Sequence, residues 1–282
     1  MLITDSQVHI WKAEAPARTW PDDHITPEKP NGWTAEQMLA EMDAAGVNRA
    51  VIVPPVWCGD SLANEHAFEA CDRFPGRFAV MARFDQHAAS ARDRLRNYLT
   101  QPHVLGIRLS GWSMPELLPP DSEYGWFWDA CDQQGIPLMI LIGARVAELE
   151  PIVERHPNLT IIIDHIAALL RQRGPAAFDN LPDLLALAAH PNVHIKTTSV
   201  AAMSAEPYPY ADLQAVIRKA YDAFGPRRIL WGANYTLGDV PYTNALGHVR
   251  DGLDFIAEED KGWVLGKNAS VLLNWPEEKA SP

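Results

Sequence analysis

The feature that most constrains this chain is an alternation. Short β-type runs and amphipathic helical stretches follow one another along 282 residues, with no repeat, charge block or low-complexity linker between them. Strands are expected over residues 2–10, 49–53, 78–84, 104–109, 138–142, 159–163, 193–196 and 228–231. Helices are expected over 34–45, 61–74, 88–99, 124–134, 146–155, 181–189, 210–224, 243–257 and 260–274. Eight strand–helix units in this length is the arithmetic of a (β/α)8 TIM barrel. A doubly wound open sheet also alternates, but usually with fewer strands, and no Gly-x-Gly-x-x-Gly follows an early strand here. The expectation is a single barrel domain over residues 1–282. Its loop 12–33, carrying Trp20, Trp33, Pro16, Pro21, Pro27 and Pro30, is long enough to fold over the mouth as a lid.

Composition narrows the partners. Hydrophobic residues make up 47%, enough for one large core. The balance of 24 basic against 36 acidic residues, a net charge of -12, disfavours nucleic acid and anionic membrane surfaces, both of which select for positive charge. No window approaches 18 uninterrupted apolar residues. The first ten residues hold no Lys or Arg and no apolar core of a signal peptide. Cys58, Cys71 and Cys131 are odd in number and widely spaced, which suggests neither a disulfide framework nor a Cys-based zinc site. The expected setting is the cytoplasm and the expected partner a small-molecule substrate. A homo-oligomer is left open.

A barrel carries its site at the carboxyl ends of its strands. On the first strand, alternation puts Ile3, Asp5, Gln7 and His9 on one face, either as a hydrogen-bonded structural cluster or as a catalytic floor. His165 follows the apolar run Ile161-Ile162-Ile163-Asp164 and should look into the mouth. Arg108 is in register with Gly106, and Lys196 ends the seventh strand. An inward Arg or Lys needs a carboxylate, from the protein or from a ligand. Arg171 and Arg173, just after the sixth strand, either join this cluster or are surface charges. On the eighth strand Gly232 should make room at the centre, and Asn234 is the next polar group on that face. Trp11, Trp57, Trp112 and Tyr235 each follow a strand end, as mouth lining or as loop cover.

Together these segments resemble the amidohydrolase superfamily, and within it the amidohydrolase-2 group related to sugar lactonases and 2-pyrone-4,6-dicarboxylate lactonase. Asp5-Ser6-Gln7-Val8-His9 resembles the D-x-H-x-H opening. Phe74-Pro75-Gly76-Arg77-Phe78, Gly106-Ile107-Arg108, Asp164-His165, Arg228-Ile229-Leu230-Trp231-Gly232-Ala233-Asn234 and Leu265-Gly266-Lys267-Asn268-Ala269 resemble its later motifs, in order. The resemblance implies a metal site built from both opening histidines, a fifth-strand His, the sixth-strand His and an eighth-strand Asp. Here Gln7, Leu141 and Asn234 stand at three of those positions, leaving His9 and His165. Carboxamides are weak substitutes for imidazole and carboxylate, so the expectation is no metal and no other cofactor.

Three functions are compatible with that pattern. The first is a metal-independent hydrolase opening a lactone or similar cyclic ester of a carboxylated or polyhydroxylated molecule. In it His9, His165, Arg108 and Asp239 are catalytic, and Asp5, Gln7, Trp57, Lys196, Arg171, Asn234 and Tyr235 bind substrate. Asp239 either replaces the missing water-activating carboxylate or is a turn residue. The second is a lactone isomerase or other proton-transfer enzyme, with Gln7 and Asn234 orienting substrate. The third is a small-molecule-binding relative without catalysis.

Overall fold

The structure is a computed structural model that describes residues 1–13, 31–55, 60–110, 118–119, 121–235 and 240–275, without the side chains of 60–63. Eight parallel strands form one sheet in chain order: β1 (Thr4–Val8), β2 (Arg49–Ile52), β3 (Phe78–Arg83), β4 (Val104–Ser110), β5 (Leu138–Leu141), β6 (Ile161–Ile163), β7 (Val193–Thr197) and β8 (Ile229–Trp231). The sheet curls until β8 meets β1. There the Asn234 N–H donates to the Gln7 carbonyl oxygen at 3.0 Å, and the Ala233 N–H donates to Asp5 Oδ1 at 3.0 Å. This is the (β/α)8 barrel read from the alternation.

Local chemistry explains the helices that surround it. In α1 (Ala35–Ala45), Thr34 and Gln37 form a reciprocal capping box, and Gly46 at φ 74° ends the helix. Helix α2 (Asp60–Arg73) stops before Pro75, and α4 (Gly125–Gln134) stops at Gly135. The expected helix over 88–99 is shorter, with α3 at Ala91–Leu95. The 146–155 stretch begins as a 3-10 turn and becomes α5 only at Glu150–Arg155, whose second residue is Pro151. Helix α6 (Leu181–Ala186) and the short α7 (Val200–Met203) precede α8 (Ala211–Phe224), which buries Leu213, Val216, Ile217, Ala220 and Phe224 at helical spacing. The single helix expected over 243–257 is broken: Tyr242–Gly247 passes into a π turn and ends at Leu253. No helix among the described residues is long and apolar enough to cross a membrane.

Inside the barrel, Val51, Val53, Met81, Met139, Ile162 and Leu230 pack into an apolar plug closed by Ala269 and Leu273 of the last helix. Arg49 fastens that helix, donating to Ser270 Oγ and the Trp275 carbonyl oxygen, both at 2.7 Å. The plug fills the amino-terminal half of the lumen. The polar half lies above it.

Candidate active site

Higher in the lumen the inward side chains of β3, β4, β6 and β7 change character within two residues. Met81 gives way to Arg83, Gly106 to Arg108, Ile162 to Asp164 and His194 to Lys196. The most deeply set groups are ionic. Asp164, wholly buried, receives Arg108 Nη2 at 2.7 Å on Oδ2 and Lys196 Nζ at 2.7 Å on Oδ1. Burial opposes ionisation of Asp164, but Arg108 and Lys196 outweigh it and hold the carboxyl at about 2. Burial pulls Lys196 down to about 8 against the opposing pull of Asp164. Arg108 also donates to the Leu109 carbonyl oxygen.

The second buried carboxylate is a seam rather than a floor. Asp5 accepts from the Gln7 N–H at 2.8 Å, the Ala233 N–H at 3.0 Å and Tyr242 Oη at 2.7 Å, so its oxygens join β1 to the exit of β8. Burial raises its carboxyl to about 6 against those hydrogen bonds. Gly232 serves the same seam. A Cβ there would sit 2.6 Å from Thr198 Cγ2 and 2.9 Å from Asp5 Oδ1, so the space it leaves is taken by the protein and not by a ligand.

Above these lie Gln7, His9, His165 and Asn234. The His9 Nδ1–H donates to the Val53 carbonyl oxygen at 2.6 Å, which leaves the lone pair on Nε2. Nε2 of His9 and Nε2 of His165 approach the same atom, Gln7 Nε2, at 3.4 and 3.5 Å. That nitrogen also donates to Asn234 Oδ1 at 3.3 Å, while the Gln7 oxygen accepts from Lys196. Burial keeps both imidazoles neutral, pulling His9 to about 4 and His165 to about 3; Lys196 and Arg108 add to it, and the Val53 bond and Asp164 respectively oppose it. His9 and Asn234 retain 6% exposure each and Leu141 8%, so they face the opening, with Lys196 and Asp164 at 0% beneath them.

Backbone strain gathers at this end. His165, Ile166 and Ala167 are successive left-handed residues (φ 56°, 53° and 54°), and Ser199 (φ 63°) and Asn234 (φ 50°) follow β7 and β8. Each costs roughly 1–2 kcal/mol relative to ordinary backbone. The turn aims His165 back into the lumen, with its Nδ1 2.5 Å from Thr198 Oγ1 and 3.1 Å from Ser199 Oγ. Asn180 steadies it, donating to the Ala167 carbonyl oxygen at 2.8 Å.

The donor set does not fit a divalent metal. The two imidazoles converge on a point occupied by an amide NH2, whereas zinc needs about 2.0–2.1 Å to each nitrogen. Asn234 supplies a neutral oxygen, Leu141 supplies nothing, and Asp5 and Asp164 are committed elsewhere. Among the described residues, the three groups with metal-ligand spacing are Glu150, Glu154 and His190, with ligand atoms within 4.8 Å, outside the barrel wall.

Of the residues expected at the site, the structure gathers Asp5, Gln7, His9, Arg108, His165, Lys196 and Asn234. Arg171 and Arg173 are exposed and stand apart from the buried cations. Trp11 is wholly buried, so it is packing rather than mouth lining, and Tyr235 packs edge-on to Trp33 at 5.9 Å and to Tyr242 at 5.2 Å. Trp57, Trp112, Asp239 and the loop segment 14–30 lie outside the described residues. Four neighbours escaped the sequence reading: Arg83, Thr198, Ser199 and Tyr242. Arg83 carried a usable signal, since it ends β3 in phase with Met81, and it pairs in register with Arg108. The other three lie beyond strand ends, where periodicity says nothing.

With this geometry in view, comparison with known proteins settles the lineage. The amidohydrolase family model matches residues 4–275. The chain belongs to the amidohydrolase family. It is 24% identical over 259 residues to an L-fucono-1,5-lactonase of Burkholderia ambifaria, covering 88% of this chain and 83% of that protein. Two solved structures share the fold. An amidohydrolase of Burkholderia multivorans with bound zinc superposes with a TM-score of 0.82 at 17% identity, covering 98% of this chain and all of that one. A probable 2-pyrone-4,6-dicarboxylic acid hydrolase of Acinetobacter baumannii, with citric acid bound, gives 0.78 at 17% identity with the same coverage. As an amidohydrolase this chain carries an amide and an ammonium among the imidazoles of its site.

Proposed function

We propose that this amidohydrolase opens a lactone or similar cyclic ester without a metal, and that its substrate carries carboxylate or hydroxyl groups. The observation that carries the reading is the Gln7 amide standing where two neutral imidazoles converge, beside two buried cations. Arg108, at the edge of the opening, polarises the ester carbonyl and stabilises the oxyanion as charge develops. His9, facing the opening with a free-electron-pair nitrogen, takes the proton from the attacking water; that proton then goes to the ring oxygen as the ring opens to a hydroxy acid. Asn234 orients the ester by hydrogen bonding. The lactonase named among the relatives and the citrate-bound neighbour support a cyclic ester and an acidic or hydroxylated substrate.

The test is a lactone panel offered to chelator-treated protein, with ring opening read as proton release. Turnover that survives chelation and is not raised by added Zn2+ is the expected result. Failure across a broad panel, or activity that returns only with metal, overturns it. One observation favours a second reading, a lactone isomerase. Asp5 and Asp164, the buried carboxylates of the site, are both engaged, so no carboxylate among the described residues is placed to activate water. Mass spectrometry separates the two, because hydrolysis adds the mass of a water and isomerisation does not.

A further inference from the structure

Lys196 is a wholly buried amine whose contacts are Asp164 Oδ1, the Gln7 oxygen and, at 3.4 Å, Met139 Sδ. An ammonium only donates. The atom of Gln7 facing it must therefore be the oxygen, and the amide NH2 must face the other way. That NH2 has two hydrogens for three neighbours: Asn234 Oδ1, His9 Nε2 and His165 Nε2.

The two histidines differ in what else holds them. His9 is fixed independently, since Nδ1 must donate to the Val53 carbonyl oxygen. His165 is not. Its Nδ1 meets the Thr198 and Ser199 hydroxyls, and a hydroxyl can give or accept a hydrogen bond. Nothing on that side selects a tautomer. Gln7 does: with its two hydrogens taken by Asn234 Oδ1 and His9 Nε2, its nitrogen offers His165 no acceptor, so an Nε2–H there would be unpaired, and the orientation of Gln7 is set by Lys196.

We propose that Lys196 is a positioning residue: by holding the Gln7 oxygen it turns the amide NH2 towards His165 and fixes that imidazole with its proton on Nδ1 and its lone pair on Nε2. In this form His165 presents a proton acceptor to the centre of the site. The neutral pair then faces the substrate as two acceptors rather than one acceptor and one donor. The inference rests on the reading of the site as one that works through its imidazoles, but its primary test needs no turnover.

The experiment is nitrogen NMR of the full chain with 15N-labelled histidine, which distinguishes protonated from unprotonated ring nitrogens. Wild type is expected to show His9 and His165 both protonated at Nδ1 and bare at Nε2. Lys196→Met should leave His9 as it is and shift His165 to a mixture or to the Nε2–H form. Gln7→Glu, close to isosteric and with the Lys196–Asp164 pair intact, serves if Lys196→Met does not fold. A carboxylate cannot donate, so His165 should invert to Nε2–H there. An unchanged His165 in either folded variant, or a His9 that shifts equally in Lys196→Met, overturns the proposal. Where a lactone substrate has been found, Lys196→Met should lower kcat about 10²-fold, the size of a lost general base, with KM nearly unchanged. A loss in KM alone speaks against positioning. Absence of any lactone turnover with the expected NMR result removes the lactonase reading and leaves this one standing.

Discussion

The two halves of the barrel lumen draw on largely different strands and obey opposite rules: β2, β3, β5, β6 and β8 supply the plug, while β1, β4 and β7 supply most of the polar layer. In the lower half Val51, Val53, Met81, Met139, Ile162 and Leu230 fill space, and all but Met139, whose sulfur meets Lys196 Nζ, work by volume alone. In the upper half Asp164, Arg108, Lys196, Gln7, His9, His165 and Asn234 fill comparable space with polar atoms, each needing a partner. An apolar layer would have closed the upper half at no greater cost, because replacing buried ion pairs by well-packed hydrophobic residues is often neutral or stabilising. The polar layer is therefore evidence of chemistry, and the left-handed residues after β6, β7 and β8 say the same of the backbone.

Substitutions can break that contrast. The largest effect is expected from Asp164→Asn, which leaves Arg108 and Lys196 buried around a neutral group; about 3–5 kcal/mol of stability should be lost in denaturant titrations. A loss below 1 kcal/mol would mean that water reaches these cations and that the upper half is not dry. Met81→Ala, in the plug, should cost about 2–5 kcal/mol by cavity formation, with kcat falling far less than in His9→Ala. His9→Ala should reverse the pattern: a modest change in melting temperature and a kcat reduced about 10²–10⁴-fold on any lactone turned over. If His9→Ala and Met81→Ala behaved alike, the division of the lumen into packing and chemistry would fail.

Acid offers a gentler test. His9 and His194 are pulled to about 4 and His165 to about 3, in each case chiefly by burial. Between these values and the unfolded value near 6.5 the unfolded chain binds more protons, so stability falls as pH drops through that window. Asp5 runs the other way. Raised to about 6, it contributes stability that is present below the unfolded value of 3.8 and lost as pH rises through 6. Three histidines outnumber one carboxyl, so the melting temperature should fall from pH 7 to pH 4. His194 lies at the plug end of β7, beside Arg228 and away from the gathered site. With Asp5 offsetting one of the three histidines, His194→Leu should flatten the slope by about one half; no change in slope would show that His194 does not share the burial of the other two.

The eight strands were legible because each depends on local pattern: β6 is Ile161-Ile162-Ile163, and α1 carries its own capping box in Thr34 and Gln37. Most of the polar layer was legible too, since Arg108, His165 and Lys196 each end an apolar run. Arg83 had the same signature and was passed over. What periodicity could not supply was partnership. Asp5 read as a substrate group until Ala233 and Tyr242, some 230 residues away along the chain, used its oxygens. Gly232 read as room for a ligand and proved to be room for Thr198.

By itself, then, the sequence determined the barrel and the lumen-facing identity of its polar residues, and it put Gln7, Leu141 and Asn234 at positions where the family resemblance implies metal ligands. The tertiary structure alone decided what occupies the vacated centre. A hydrogen-bond donor faces two imidazoles there because a lysine from the seventh strand holds the other end of a first-strand amide. Such an arrangement depends on distances between strands far apart in the chain, and closure of the sheet is what sets them.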